Sequence, residues 1–71
     1  MKPDPITIIA NGRQQRLDSP CSVGDYIVAR GWKPTQIVVE RNGSVLKRDQ
    51  IYTVMLADGD KLELIVPVAG G

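Results

Sequence analysis

The dipeptide Asn-Gly occurs twice, at Asn11-Gly12 and Asn42-Gly43, and each copy follows closely on a run rich in β-branched residues. Asn-Gly accepts positive φ at both central positions of a two-residue hairpin turn, so each copy predicts an antiparallel return. Upstream of the first lies Ile6-Thr7-Ile8-Ile9-Ala10, roughly alternating. Its return is Arg13 to Leu17, with Gln14 and Arg16 on the wetter face and Leu17 turned inward. Upstream of the second lies Ile37-Val38-Val39-Glu40-Arg41, the strongest strand by propensity, and Ser44-Val45-Leu46 is its short partner. A third reversal, Ala57-Asp58-Gly59-Asp60, leads into Lys61 to Val66, where Leu62, Leu64 and Val66 fall on one face.

Between the hairpins the period changes. Ser22 is suited to cap a helix N-terminus, and Asp25 sits three residues on, where its carboxylate faces the helix's positive end. Val23, Tyr26, Ile27 and Arg30 share one helical face, with Val28 on its flank. Gly31 is placed to stop the helix in a left-handed conformation, and Pro34 prevents continuation. Gly24 in the first turn works against the helix by about 1 kcal/mol relative to Ala. Within Lys47 to Leu56, a turn of helix is expected around Gln50 to Tyr52. The order strand, strand, helix, strand, short strand, strand predicts an α+β domain in which one helix covers one face of a mixed sheet. The expected core is Ile6, Ile8, Leu17, Val23, Ile27, Val38, Leu46, Leu62 and Leu64.

With 71 residues the chain suffices for one domain, and one this short hides only about 60% of its unfolded surface. A single cysteine, Cys21, allows no internal disulfide, and the absence of histidine removes zinc sites built from Cys and His. Packing of the 42% apolar residues has to hold the fold. Nine basic residues against eight acidic ones, with only one Trp and two Tyr, give no footprint for nucleic acid. No apolar run is long enough to span a bilayer. With one thiol and no signal peptide, the expected compartment is the cytoplasm.

Candidate catalytic groups are scarce. Without histidine there is no Ser-His-Asp or Cys-His pair. Cys21 has no evident base beside it and reads as a small, partly buried thiol. Asp58 and Asp60 flank Gly59 and read as turn residues rather than metal ligands. What remains is the tail, Pro67-Val68-Ala69-Gly70-Gly71. Glycine is 7 of 71 residues, so Gly-Gly at two given positions arises by chance on the order of 1% of the time. Residues without Cβ can thread a narrow channel and carry a terminal carboxylate into another protein's active site. A carboxylate is a poor acyl donor. Joined to AMP it becomes a mixed anhydride with a good leaving group, and attack by sulfur then yields a thiocarboxylate. The chain supplies the acyl group, and a partner supplies nucleotide, Mg²⁺ and electrostatic stabilisation.

These residues together resemble the ThiS family of sulfur carriers in thiamine thiazole biosynthesis. The likeness runs from the Ile-Thr-Ile strand with Asn11-Gly12, through Ser22-Val23, Val39-Glu40-Arg41-Asn42-Gly43 and Val45-Leu46-Lys47-Arg48, to Leu56-Ala57-Asp58-Gly59-Asp60 and Val68-Ala69-Gly70-Gly71. The pattern departs from the family at Lys47, where a proline is often seen, and at Ile51, where tryptophan is common. The resemblance implies a ubiquitin-like β-grasp domain over residues 1–66 with a flexible tail over 67–71. It implies that the carboxylate of Gly71 is adenylated and converted to a thiocarboxylate, and that Gly70, Ala69, Val68, Pro67 and Val66 occupy the partner's channel. Implied partners are a ThiF-like adenylating enzyme using ATP and Mg²⁺, a sulfur-donor enzyme, and a ThiG-like thiazole synthase. The chain itself binds no cofactor, is not an enzyme, and is a monomer when free, with no nucleic-acid or membrane partner. Rival readings are the small subunit of molybdopterin synthase, a protein modifier joined to lysines, and a passive interaction module docking through Lys33, Arg41, Lys47 and Arg48.

Overall fold

The computed structural model describes residues 4–67. Five strands form one sheet: β1 (Ile6–Ala10), β2 (Arg13–Leu17), β3 (Val38–Arg41), β4 (Ser44–Val45) and β5 (Lys61–Ile65). Their order across the sheet is β2-β1-β5-β3-β4. The outer pairs are the two hairpins, closed by Asn11 (φ 50°) with Gly12 (φ 81°) and by Asn42 (φ 53°) with Gly43 (φ 88°). Those angles belong to the turn whose twist matches that of the flanking strands, and they explain both Asn-Gly pairs. The last strand enters between the hairpins, parallel to β1 and antiparallel to β3.

A helix, α1 (Val23–Ala29), lies over one face. Its first three N–H groups all find acceptors. Val23 donates to the carbonyl of Val54 at 3.0 Å, Gly24 to that of Ile51 at 2.7 Å, and Asp25 to the hydroxyl oxygen of Ser22 at 3.0 Å. At the other end Gly31, at φ 84°, donates to the carbonyl of Val28, and Trp32 donates back to Ile27. This pair of bonds is the Schellman arrangement, in which a left-handed glycine uses up the last carbonyls. Pro34 does not merely stop the chain: it opens a 3₁₀ turn, Pro34–Gln36.

Val23, Tyr26 and Ile27 of α1 meet Ile6, Ile8 and Ala10 of β1, Val39 of β3 and Leu62 and Leu64 of β5. Ile37, Ile51 and Leu56 complete the core, with Leu17 and Leu46 partly buried at its edge. Three expectations need correction. Val38 is 38% exposed, whereas Val39 is buried. In a run as apolar as Ile-Val-Val both alternations look alike, and pairing of Val38 with Ile65 and Val39 with Leu64 decides which one faces the helix. Val66 does not join Leu62 and Leu64 inside, because β5 ends at Ile65 and Val66 is 58% exposed. The helical turn expected around Gln50–Tyr52 is a 3₁₀ turn at Arg48–Gln50, continued by turns through Thr53.

Gly24 also reads differently in three dimensions. A Cβ there would lie 2.5 Å from the ring of Tyr52, so the glycine lets the 51–54 segment cross closely over the first turn of α1. The cost in helix propensity is offset by the hydrogen bonds that this crossing gives to Val23 and Gly24.

Asp60 does more than turn the chain. Its side chain is 7% exposed and accepts from Arg41 Nε at 2.9 Å, Asn42 Nδ2 at 3.0 Å and the Ala57 N–H at 2.8 Å. Burial alone raises its pKa, but these three donors outweigh burial and hold the carboxyl below its ordinary 3.8. A depressed folded-state pKa stabilises the fold above the unfolded value, and that stability is lost as pH falls through the folded value. We therefore expect Asp60→Ala to lose about 2–3 kcal/mol near neutral pH, measured by urea unfolding. The difference between wild type and variant should shrink steadily below pH 4 as Asp60 is protonated in both folded and unfolded wild-type chains.

Candidate functional site

The region of interest is the exit of β5, since the proposed working residues lie downstream of it. β5 is the central strand of the sheet. It pairs with β1 only through Lys61 and Leu62, opposite Ile9 and Ala10, because β1 then turns at Asn11. Two asparagine side chains extend the hold on it. Asn11 Oδ1 accepts from the Leu64 N–H at 2.8 Å, and Asn42 Oδ1 accepts from the Lys61 N–H at 2.9 Å. The backbone N–H groups of the same asparagines donate to the carbonyls of Leu62 and Lys61. Each hairpin turn is thus also a clamp, one near each end of β5.

On the β3 side the ladder ends at Val38 opposite Ile65. Val66 and Pro67 follow, both exposed and outside any strand. Pro67 has no N–H to donate, which helps to end the ladder here. Of the expected site residues, Val66 and Pro67 therefore sit where the chain leaves the sheet. Val68, Ala69, Gly70 and Gly71, and with them the expected flexible tail, lie outside the described residues.

Cys21 is half-buried, and burial first, then the Asp25 carboxylate, pushes its thiol pKa up, which disfavours a reactive thiolate. Asp58 lies in the turn before β5, but its carboxylate accepts from the Thr7 N–H of β1 at 2.8 Å, a long-range tie in place of the local turn bond expected. Among the described residues no group of His, Cys, Asp or Glu side chains is arranged to hold a metal ion. No helix among them is long and apolar enough to cross a membrane. Two of the four cations of the passive-module reading are engaged within the domain. Arg41 is bound to Asp60, and Arg48 donates to the Thr35 carbonyl. The features that sequence reasoning missed are the two asparagine clamps; Asn-Gly signalled the turns but not the use of the amide oxygens.

The model of the ThiS family matches residues 5–71. A thiazole synthase from Paramagnetospirillum magneticum is 26% identical over 66 residues, covering 93% of this chain and 20% of that protein. The chain therefore spans about a fifth of that relative's length. The crystal structure of the thiamine biosynthesis protein ThiS from Geobacter metallireducens is similar with a TM-score of 0.80 at 26% identity, covering 93% of this chain and 100% of that one. A solution structure of a thiamine biosynthesis protein from the same organism gives a TM-score of 0.76 at 26% identity, with coverages of 93% and 88%. With one helix on a mixed five-stranded sheet, the fold is the ubiquitin-like β-grasp.

The clamp at Asn11 has a testable consequence. Asn11→Gly keeps the positive φ but deletes the amide, and should cost about 1 kcal/mol with faster hydrogen exchange at the Leu64 amide. Asn11→Asp retains an acceptor at that place and tolerance of the left-handed conformation, so the Leu64 amide should stay protected.

Proposed function

The chain belongs to the ThiS family, and from that premise we propose that it is a sulfur carrier of thiamine biosynthesis whose reactive group is the carboxylate of Gly71. A ThiF-like enzyme, using ATP and Mg²⁺ of its own, joins this carboxylate to AMP and releases pyrophosphate. Hydrosulfide released by a donor enzyme attacks the acyl carbon, AMP leaves and the thiol proton is lost, giving the thiocarboxylate, which then gives its sulfur to a ThiG-like thiazole synthase. The domain takes no part in the bond chemistry beyond lending its acyl carbon, so it acts as a co-substrate and not as an enzyme.

The observation that carries the reading is the family match, which extends through Gly70 and Gly71. Two further observations support it. β5 is clamped near both ends and delivers Val66 and Pro67, exposed, where the central strand leaves the sheet. A strand held in this way fixes where Val66 and Pro67 leave the sheet, which lowers the cost of aligning the domain with a partner's channel. In addition, a protein named thiazole synthase contains within its own length a segment similar to nearly all of this domain, which favours thiazole synthase as the sulfur acceptor. That acceptor and the thiamine-related neighbours favour this reading over the molybdopterin branch.

Incubation with a ThiF-like enzyme, ATP, Mg²⁺ and a sulfur donor should raise the intact mass by the exchange of one oxygen for one sulfur. Removal of Gly71 should abolish the gain while leaving the unfolding midpoint unchanged, because a glycine brings no side chain to the core. An unchanged wild-type mass, with an enzyme shown to be active on another carrier, would sink the proposal.

A further inference from the structure

The end of the domain from which β5 departs carries an unbalanced set of cations. Three open clefts lie at or beside that exit, two of them lined by Val66 and the other joined to one of these through Trp32. One of about 320 Å³ lies among Arg13, Gln15, Tyr26, Arg30, Trp32 and Leu64. A second, also of about 320 Å³, adds Lys33 and Val66 next to Trp32. A third of about 430 Å³ adds Arg48 beside Val66 and Pro67. Among the described residues no aspartate or glutamate lines any of them, although the chain has eight acids to nine basic residues. The acids lie elsewhere. Asp58 and Asp60 are at the start of β5, Glu40 and Glu63 face each other across β3 and β5, Asp25 is in the first turn of α1, and Asp18 sits beside Arg16. Asp4 precedes β1, and Asp49, next to Arg48 in sequence, lines none of the three clefts.

Among the described residues the ion pairs are Arg16–Asp18 and Arg41–Asp60, which leave Arg13, Arg30 and Lys33 without a carboxylate partner. The first cleft is also built rather than incidental. The Arg30 guanidinium stands 5.1 Å from the centre of the Tyr26 ring, and the Tyr26 hydroxyl donates to Gln15 Oε1. The glycine stop of α1 sets Trp32 beside them, 40% exposed. Like charges gathered at one end of a near-neutral domain repel each other in the free state, and opposite charge on a docked surface relieves that repulsion. Exposed guanidiniums hold a small anion weakly in water, whereas a protein surface that covers them sums several such pairs and excludes solvent.

We propose that this cationic end seats an acidic rim on the adenylating enzyme, with Arg13 and Arg30 pairing to its carboxylates beside Trp32 while the chain beyond Pro67 enters the active site. This rests on the carrier reading above. The test is the initial rate of Gly71 adenylation by a ThiF-like enzyme as a function of carrier concentration, at low and moderate salt. For Arg13→Glu/Arg30→Glu, KM for the carrier should rise roughly tenfold or more with kcat little changed, and the salt dependence of KM should largely disappear. Arg13→Lys/Arg30→Lys should recover most of the loss. Arg16→Glu/Lys61→Glu, which changes net charge equally, should leave KM near wild type. Should the double reversal fail to fold in a thermal melt, Arg13→Gln and Arg30→Gln carry the same test singly. Trp32, the one tryptophan, should change its emission on mixing wild type with the enzyme. A folded variant with wild-type KM overturns the proposal, as does an equal rise in the control pair. So does a change in Trp32 emission with phosphate or ATP alone that saturates as readily as with the enzyme, since that marks a free-anion site. Failure of the wild type to be adenylated at all would instead remove the carrier reading, and this docking surface with it.

Discussion

β5 is held on both sides by groups that belong to turns. Beyond Leu62 it has lost its backbone partner in β1, and the amide oxygen of Asn11 takes over at the Leu64 N–H. At its start the amide of Asn42 accepts from Lys61 and also donates to Asp60, which in turn holds Arg41 and the Ala57 N–H. The rest of the structure depends on this strand being in place. It joins two hairpins that otherwise share no edge, and it brings Leu62 and Leu64 under the helix. Losing either amide oxygen removes a hydrogen bond from the central strand and not only from its own turn, and the loss weighs more at the part-buried Leu64 N–H than at the exposed Lys61 N–H.

The same economy governs the helix. Seven residues of α1 are too few to be stable alone, and its free N–H groups would be a liability. The segment after β4 answers both needs, since Ile51 and Leu56 enter the core while the carbonyls of Ile51 and Val54 accept from the first turn. Gly24 is the condition for that crossing, because any side chain there meets the Tyr52 ring. A chain with no disulfide and no metal cluster among its described residues is thereby held by packing and by the satisfaction of nearly every buried polar group.

These constraints also shape how such a domain can work. Its thiol is made less reactive by burial and by the nearby Asp25 carboxylate. What the domain offers is direction: a clamped strand ending in exposed Val66 and Pro67, with cations on the surrounding surface and carboxylates kept to other faces. A carrier of this design leaves specificity and chemistry to its partners, and it needs a body rigid enough to aim a chain and charged enough to be oriented on approach.

From sequence alone, the five strands and the α-helix, both hairpin turns, the Ser22 cap and Gly31 stop, and the family likeness were legible. Those are local properties: turn chemistry, capping and side-chain period act over a few residues. The sequence could not say which of Val38 and Val39 faces the core, because in an all-apolar run only strand pairing chooses a face. Nor could it show that Asp60 is a buried hub, that Gly24 makes room for Tyr52, or that Arg13, Arg30, Lys33 and Arg48 line clefts at or beside the exit of β5. Tertiary structure decided these, because each depends on residues far apart in the chain meeting across a sheet whose central strand comes last in sequence.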